Sequence, residues 1–174
     1  MSRFKKASIV ALGIVALAGC TKSESSVPDS TSVATTAAAP DAAADEQAIR
    51  AMNDQWFKAY SAHDVDGIVA LYADDATVSM PNMPAARGRA AIRDAYQKDI
   101  QGAVAAGYVN TQGTSGESGA SGDLAWESNT FTVTDKTGAK VESGKYVTVF
   151  SRRDGKWLII RDIWNSDMPA APTR

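Results

Sequence analysis

Two runs of alternating apolar and polar residues, Lys140–Arg153 and Lys156–Ser166, are separated only by Asp154-Gly155. A two-residue period puts successive side chains on opposite faces of a strand. Asp-Gly between such runs specifies a tight hairpin, because both central residues can take positive φ. The C-terminal part of the chain is therefore committed to antiparallel sheet. Upstream, Leu124–Thr134 (LAWESNTFTVT) alternates as well, with Trp126, Ser128, Thr130 and Thr132 on one side and Phe131 and Val133 on the other. Asp135–Ala139 reads as a turn, and the polar stretch Tyr108–Glu117 as an edge-like strand. The prediction is a four-stranded antiparallel meander.

The preceding segment has a helical period. Asp45–Ala62 places Ile49, Met52, Trp56, Phe57 and Tyr60 on one side of a helix, with Asp45 and Glu46 at the positive end of its dipole. Asp64 can cap a second helix, Val65–Tyr72, whose Ile68, Val69, Leu71 and Tyr72 face inward. A short strand, Ala76–Met80, ends at Pro81, and Asn82–Arg87 is a loop. Gly88 leads into a third helix carrying Ile92, Ala95, Tyr96, Ile100 and Val104. Helices segregated from an antiparallel sheet define an α+β fold. Helices over a long curved sheet leave a conical cavity, a usual place for small ligands.

Residues 1–20 (MSRFKKASIVALGIVALAGC) combine a basic start, an apolar run from Ala7 to Leu17, and small residues before Cys20. The run is shorter than the roughly 20 residues of a bilayer-spanning helix, and the pattern is that of an export signal. Leu17-Ala18-Gly19-Cys20 resembles the bacterial lipobox, which implies lipidation of Cys20; an ordinary secretory signal with a chance cysteine is the competing reading. Cys20 is the single cysteine of the chain. Thr21 after it, by the same resemblance, favours the outer membrane facing the periplasm. Residues 21–44 are rich in Ser, Thr, Ala and Pro and bury too little apolar surface to fold, so a tether is expected, leaving one domain over 45–174. With 18 Lys and Arg against 20 Asp and Glu, interspersed, the chain has no basic stripe for nucleic acid.

Three stretches, Trp56–Val78 (WFKAYSAHDVDGIVALYADDATV), Arg87–Tyr96 (RGRAAIRDAY) and Phe150–Asp167 (FSRRDGKWLIIRDIWNSD), resemble the nuclear transport factor 2-like superfamily, especially its SnoaL-like and ketosteroid-isomerase-like bacterial domains. The resemblance implies a cone-shaped, cystatin-like α+β barrel with N-terminal helices on a curved mixed or antiparallel sheet. It also implies a homodimer formed through the outer sheet face. Function does not follow from such a fold. Where ketosteroid isomerases carry an aspartate base before the Pro that follows the first strand, this chain has Met80. Their oxyanion tyrosine corresponds to Trp56, and their second oxyanion donor falls on or near Val147, with Tyr146 and Thr148 one residue away. By this matching none of the three chemical groups is present, and the isomerase route is disfavoured.

Asp162 is the best remaining acid. It shares alternation parity with Leu158, Ile160 and Trp164, and burial among apolar groups would raise its pKa and suit proton transfer; SnoaL-type cyclases, by resemblance, use an aspartate from the sheet. An ion pair with Arg161 or Arg152 is the competing reading. Trp56, Tyr60, Tyr72, Met80, Tyr96, Trp126, Tyr146 and Trp164 are candidates for a ligand-binding wall, although aromatic residues chiefly build cores. His63 is the only histidine and has no cluster around it, so no metal and no cofactor are expected. Asp74-Asp75 suits a solvated turn, and Arg87 and Arg89 suit either a solvated loop or an anion. The expected function is binding of a small apolar molecule in the cone, or assembly; the alternative is a cyclase-, isomerase- or hydratase-type enzyme using Asp162.

Overall fold

A computed structural model describes residues 42–169. The expected export signal, Cys20 and residues 21–41 of the expected tether lie outside the described residues; its last three residues, 42–44, open helix α1 and are not tether. The element order is α1 (Ala42–Ser61), α2 (Val65–Ala70), β1 (Tyr72–Ser79), β2 (Ala86–Arg87), α3 (Gly88–Ala106), β3 (Val109–Gln112), β4 (Glu117–Ser121), β5 (Leu124–Thr134), β6 (Lys140–Arg153) and β7 (Lys156–Ser166). All seven strands form one sheet in the order β2-β1-β7-β6-β5-β3, with β4 also paired to β5.

The hairpin that anchors the fold is β6–β7. Asp154 and Gly155 both take positive φ, 51° and 75°, the condition of a type I′ turn. The strands pair antiparallel from Arg153↔Lys156 to Gly144↔Ser166, with one register shift between Val149↔Arg161 and Phe150↔Ile159. That shift makes Ile160 the unpaired residue of a bulge. Facing parity changes there: Ile159 lies on the inner side before the bulge, and Asp162 and Trp164 after it. Asp162 therefore does not share a face with Leu158 and Ile160, as simple alternation predicts.

Two further expectations need correction. Helix α2 stops at Ala70, with Leu71 as its C-cap, and Tyr72 opens β1 instead of closing the helix. Its partner decides this: the Ile159 amide donates to the Leu71 carbonyl at 2.9 Å, and Tyr72 aligns with Ile159 in parallel pairing. The sheet is consequently mixed, one of the two forms the resemblance implies, with β1 joined in parallel to the antiparallel strands through β7. Tyr108–Glu117 is not one strand either. β3 pairs with the C-terminal half of β5 and β4 with its N-terminal half, and between them residues 113–116 bulge out opposite Asn129 and Thr130, where Gly113 and Gly116 sit against Asn129 too closely for a Cβ.

α1 packs against β3, β4 and β5, and α3 against β1. The core between helices and sheet is built on Ile49, Ile68, Tyr72, Val78, Ile92, Tyr96, Phe150 and Ile159, all essentially solvent-free. Helix α3 presents Ile92, Tyr96 and Ile100 to it, a four-residue spacing that keeps one face inward. Val104, expected on that face, is exposed in the last turn, before Gly107 closes the helix at φ 68°. Asp64 caps α2 as expected, accepting from the Gly67 amide at 2.8 Å.

Candidate functional site

A cavity of about 420 Å³ opens between α1, α3 and the inner face of the sheet, within the range of about 300–1,000 Å³ usual for small-ligand sites. α1 contributes Asn53, Trp56, Phe57 and Tyr60, which recur on one helical face. Tyr96 and Asp99 come from α3, Asn110 from β3, and Phe131 and Val133 from β5. The floor is the paired segment of β6 and β7: Tyr146, Thr148, Ile159, Asp162 and Trp164. Rings pack along these walls, with Trp56 stacked on Tyr60 at 5.2 Å and Trp164 edge-on to Phe131 at 5.5 Å.

Asp162 is 8% exposed and accepts three hydroxyl hydrogen bonds. Tyr72 donates to Oδ2 at 2.5 Å, Tyr96 to the same oxygen at 3.2 Å, and Thr148 to Oδ1 at 3.2 Å. The tyrosine hydroxyls also lie 2.8 Å from each other, and the Trp56 indole N–H donates to Tyr72 at 3.2 Å. Burial pushes the Asp162 carboxyl above its ordinary range; the three donors favour the ionised form but do not offset the desolvation. Burial, then the Asp162 charge, pushes Tyr72 and Tyr96 well up, so both stay protonated donors. The arrangement holds a carboxyl rigidly in a largely apolar chamber, able to accept a ligand's hydrogen bond or to exchange a proton. It is not the ion pair that Arg161 or Arg152 could have supplied. Arg161 turns to the Ile160 carbonyl, and Arg152 pairs with Asp45 on α1.

Of the eight residues expected in the wall, Trp56, Tyr60, Tyr96, Tyr146 and Trp164 line the cavity. Tyr72 does not; it is fully buried behind the wall and acts through Asp162. Met80 is buried in the core, 8% exposed, and is likewise absent from the lining. Trp126 lies on the opposite face of the sheet, 41% exposed: its even-numbered parity on β5 opposes Phe131, and its ring lies over Gly119, where a Cβ would meet Nε1 at 2.8 Å. Val147 also points outward, and the inward neighbours are Tyr146 and Thr148.

Four polar residues go beyond the expected set: Asp99, Glu127, Gln112 and Asn53. Tyr60 donates to Asp99 at 2.7 Å, and burial raises the Asp99 carboxyl against that bond. Glu127, 2% exposed, backs the wall, accepting from Tyr146 at 3.1 Å and from Gln112 at 3.0 Å, while Asn53 donates to Tyr146 at 3.1 Å. Burial raises Glu127 too, over the opposing hydrogen bonds. Both acids were legible as periodicity: Asp99 follows Tyr96 by three on a helix, and Glu127 shares parity with Phe131.

His63 is an exposed turn residue at φ 59°. Asp74 and Asp75 lie in β1, not in a turn, and pair with Arg89 at 3.2 Å and Arg153 at 2.7 Å. Arg89 also donates to the Tyr72 carbonyl and Arg87 to Thr77, so both tie the start of α3 to β1, outside the cavity.

Residues 53–160 match the family model of the SnoaL-like domain; Asp162 lies two residues beyond the matched span. The chain belongs to the SnoaL-like domain family. Among solved structures it is similar to a nuclear transport factor 2-like protein of unknown function from Pseudomonas putida KT2440, with 22% identity over 74% of this chain and 90% of that one, TM-score 0.67. It is also similar to a nuclear transport factor 2-like protein with a cystatin-like fold from Novosphingobium aromaticivorans (20% identity, 74% and 86% covered, TM-score 0.66). A ketosteroid isomerase-like protein from Erwinia carotovora atroseptica shares 20% identity over 72% of this chain and 98% of its own, TM-score 0.55. At these identities the likeness is one of fold. Among curated proteins none matches the chain.

Proposed function

We propose that this chain is an exported, lipid-anchored SnoaL-like domain that binds a small, largely apolar molecule between α1, α3 and the sheet. The observation that carries this reading is the cavity, walled by aromatic rings from two sides and holding one buried, hydroxyl-bonded carboxyl at its floor. A few placed polar groups in an apolar chamber are what orient a ligand. Export and anchoring at the outer membrane rest on residues 1–20 and Cys20. A homodimer through the outer sheet face is supported by exposed Trp126, Val147 and Ile163 there, with Val147 and Ile163 directly paired across β6 and β7. The same face would serve an assembly role.

A second reading, an acid/base enzyme with Asp162 as proton carrier, is favoured by the upward shift of that carboxyl and its place on the cavity wall. Titration of the protein with the neutral dye Nile red, followed by displacement with apolar compounds, tests the binding reading. Saturable, displaceable binding that Asp162→Asn barely alters supports a binder. A chemically changed displacer whose conversion stops in Asp162→Asn supports the enzyme, and no saturable binding rejects both.

A further inference from the structure

The charge on the cavity wall is lopsided. Asp99, Glu142 and Asp162 all line it, and the one basic side chain in the wall is Lys98. Among the described residues the ion pairs engage other carboxylates: Asp45, Glu46, Asp66, Asp74, Asp75, Asp123 and Asp167. None of the three cavity acids has a Lys or Arg partner among them. The groups that do touch Asp99 and Asp162 are neutral hydroxyls. Hydroxyls orient a carboxylate without cancelling its charge. At Asp162, Oδ2 takes both tyrosines but Oδ1 takes only Thr148, and a carboxylate oxygen can accept two bonds.

The rings carry the same sign of preference. Trp56, Phe57 and Tyr60 face the chamber from α1, and Phe131, Tyr146 and Trp164 from the sheet. An aromatic face is negative, and a cation within about 6 Å of it is attracted, most strongly when both are dry. Carboxyls and ring faces thus favour a cation over a neutral body of equal shape. Among the described residues no three His, Cys, Asp or Glu side chains converge to hold a metal ion. A weakly hydrated cation that carries its own apolar shell needs no such set.

We propose that the cavity selects organic cations, an ammonium or quaternary ammonium group on an aromatic or compact apolar body, seated against the rings with Asp162 and Asp99 as counter-charges. The proposal rests on the binding reading above and narrows its ligand class.

The test uses two probes of the same shape, phenyltrimethylammonium and tert-butylbenzene, titrated into the full-length protein at low salt and pH 8 by calorimetry. The cation is expected to bind at least about tenfold more tightly than its neutral isostere. Asp162→Asn and Asp99→Asn are each expected to weaken the cation about fivefold more than they weaken the isostere. Equal affinities, or tighter binding of tert-butylbenzene, would overturn the cation preference while leaving an apolar binding site in place. Failure of both probes to bind would overturn the binding reading itself. Because the wild-type ratio is decisive alone, the outcome survives a variant that does not fold.

Discussion

Asp162 is held by three hydroxyls in a site where no positive charge reaches it, and its pH behaviour follows from that. Its folded pKa is raised, so the folded chain keeps the proton where the unfolded chain has lost it. Stability from this group is full below the ordinary carboxylate range and is lost as pH rises from there through the folded pKa. Asp99 and Glu127 shift the same way, so the wild-type melting curve alone would mix three groups. The difference between Asp162→Asn and wild type isolates one: thermal melts between pH 4 and pH 8 should show the variant gaining relative stability as pH rises, and a flat difference would contradict the raised pKa. Chemistry of the isomerase type is not expected at this site, since Met80 lies in the core and Val147 faces outward. A spectrophotometric assay with a Δ5-3-ketosteroid should show no conversion above background. Asp162 was legible in the sequence as an acid in an apolar strand, but its partners were not. Tyr72 read as the end of a helix, and only its pairing with Ile159 turns its hydroxyl toward Asp162.

At the scale of elements, the β6–β7 hairpin was the most legible part of the molecule, because alternation and Asp154-Gly155 are local signals that agree with each other. The bulge at Ile160 was not legible: it arises from how β7 pairs simultaneously with β6 and, in parallel, with β1, and a period cannot show a pairing partner. The division of Tyr108–Glu117 into two strands was hidden for the same reason. The sheet also carries a tight spot that a variant can probe. Gly144 on β6 faces the Phe131 ring, and a Cβ there would come within 2.3 Å of the Asn165 carbonyl oxygen and 2.4 Å of that ring. Backbone on one side and a packed ring on the other leave little room to yield. Gly144→Ala should cost about 2 kcal/mol or more in urea unfolding, and an unchanged midpoint would show that β5, β6 and β7 do not meet this closely.

For the whole molecule, the proposed lipid anchor is open to a direct test. If Cys20 carries the lipid, wild-type protein should sediment with the membrane fraction and Cys20→Ser should not; retention of the variant in that fraction would contradict lipidation. Membership of the SnoaL-like domain family, matched over residues 53–160, places the domain but leaves its ligand to the side chains of the wall. Native mass spectrometry of the protein purified gently from a bacterial envelope tests most directly whether the chamber holds a small molecule. A dimer carrying extra mass for a small molecule is expected, the mass released on mild activation, with stoichiometry near one per subunit. A species of bare polypeptide mass that also takes up neither phenyltrimethylammonium nor tert-butylbenzene would mean that the chamber is not a binding site.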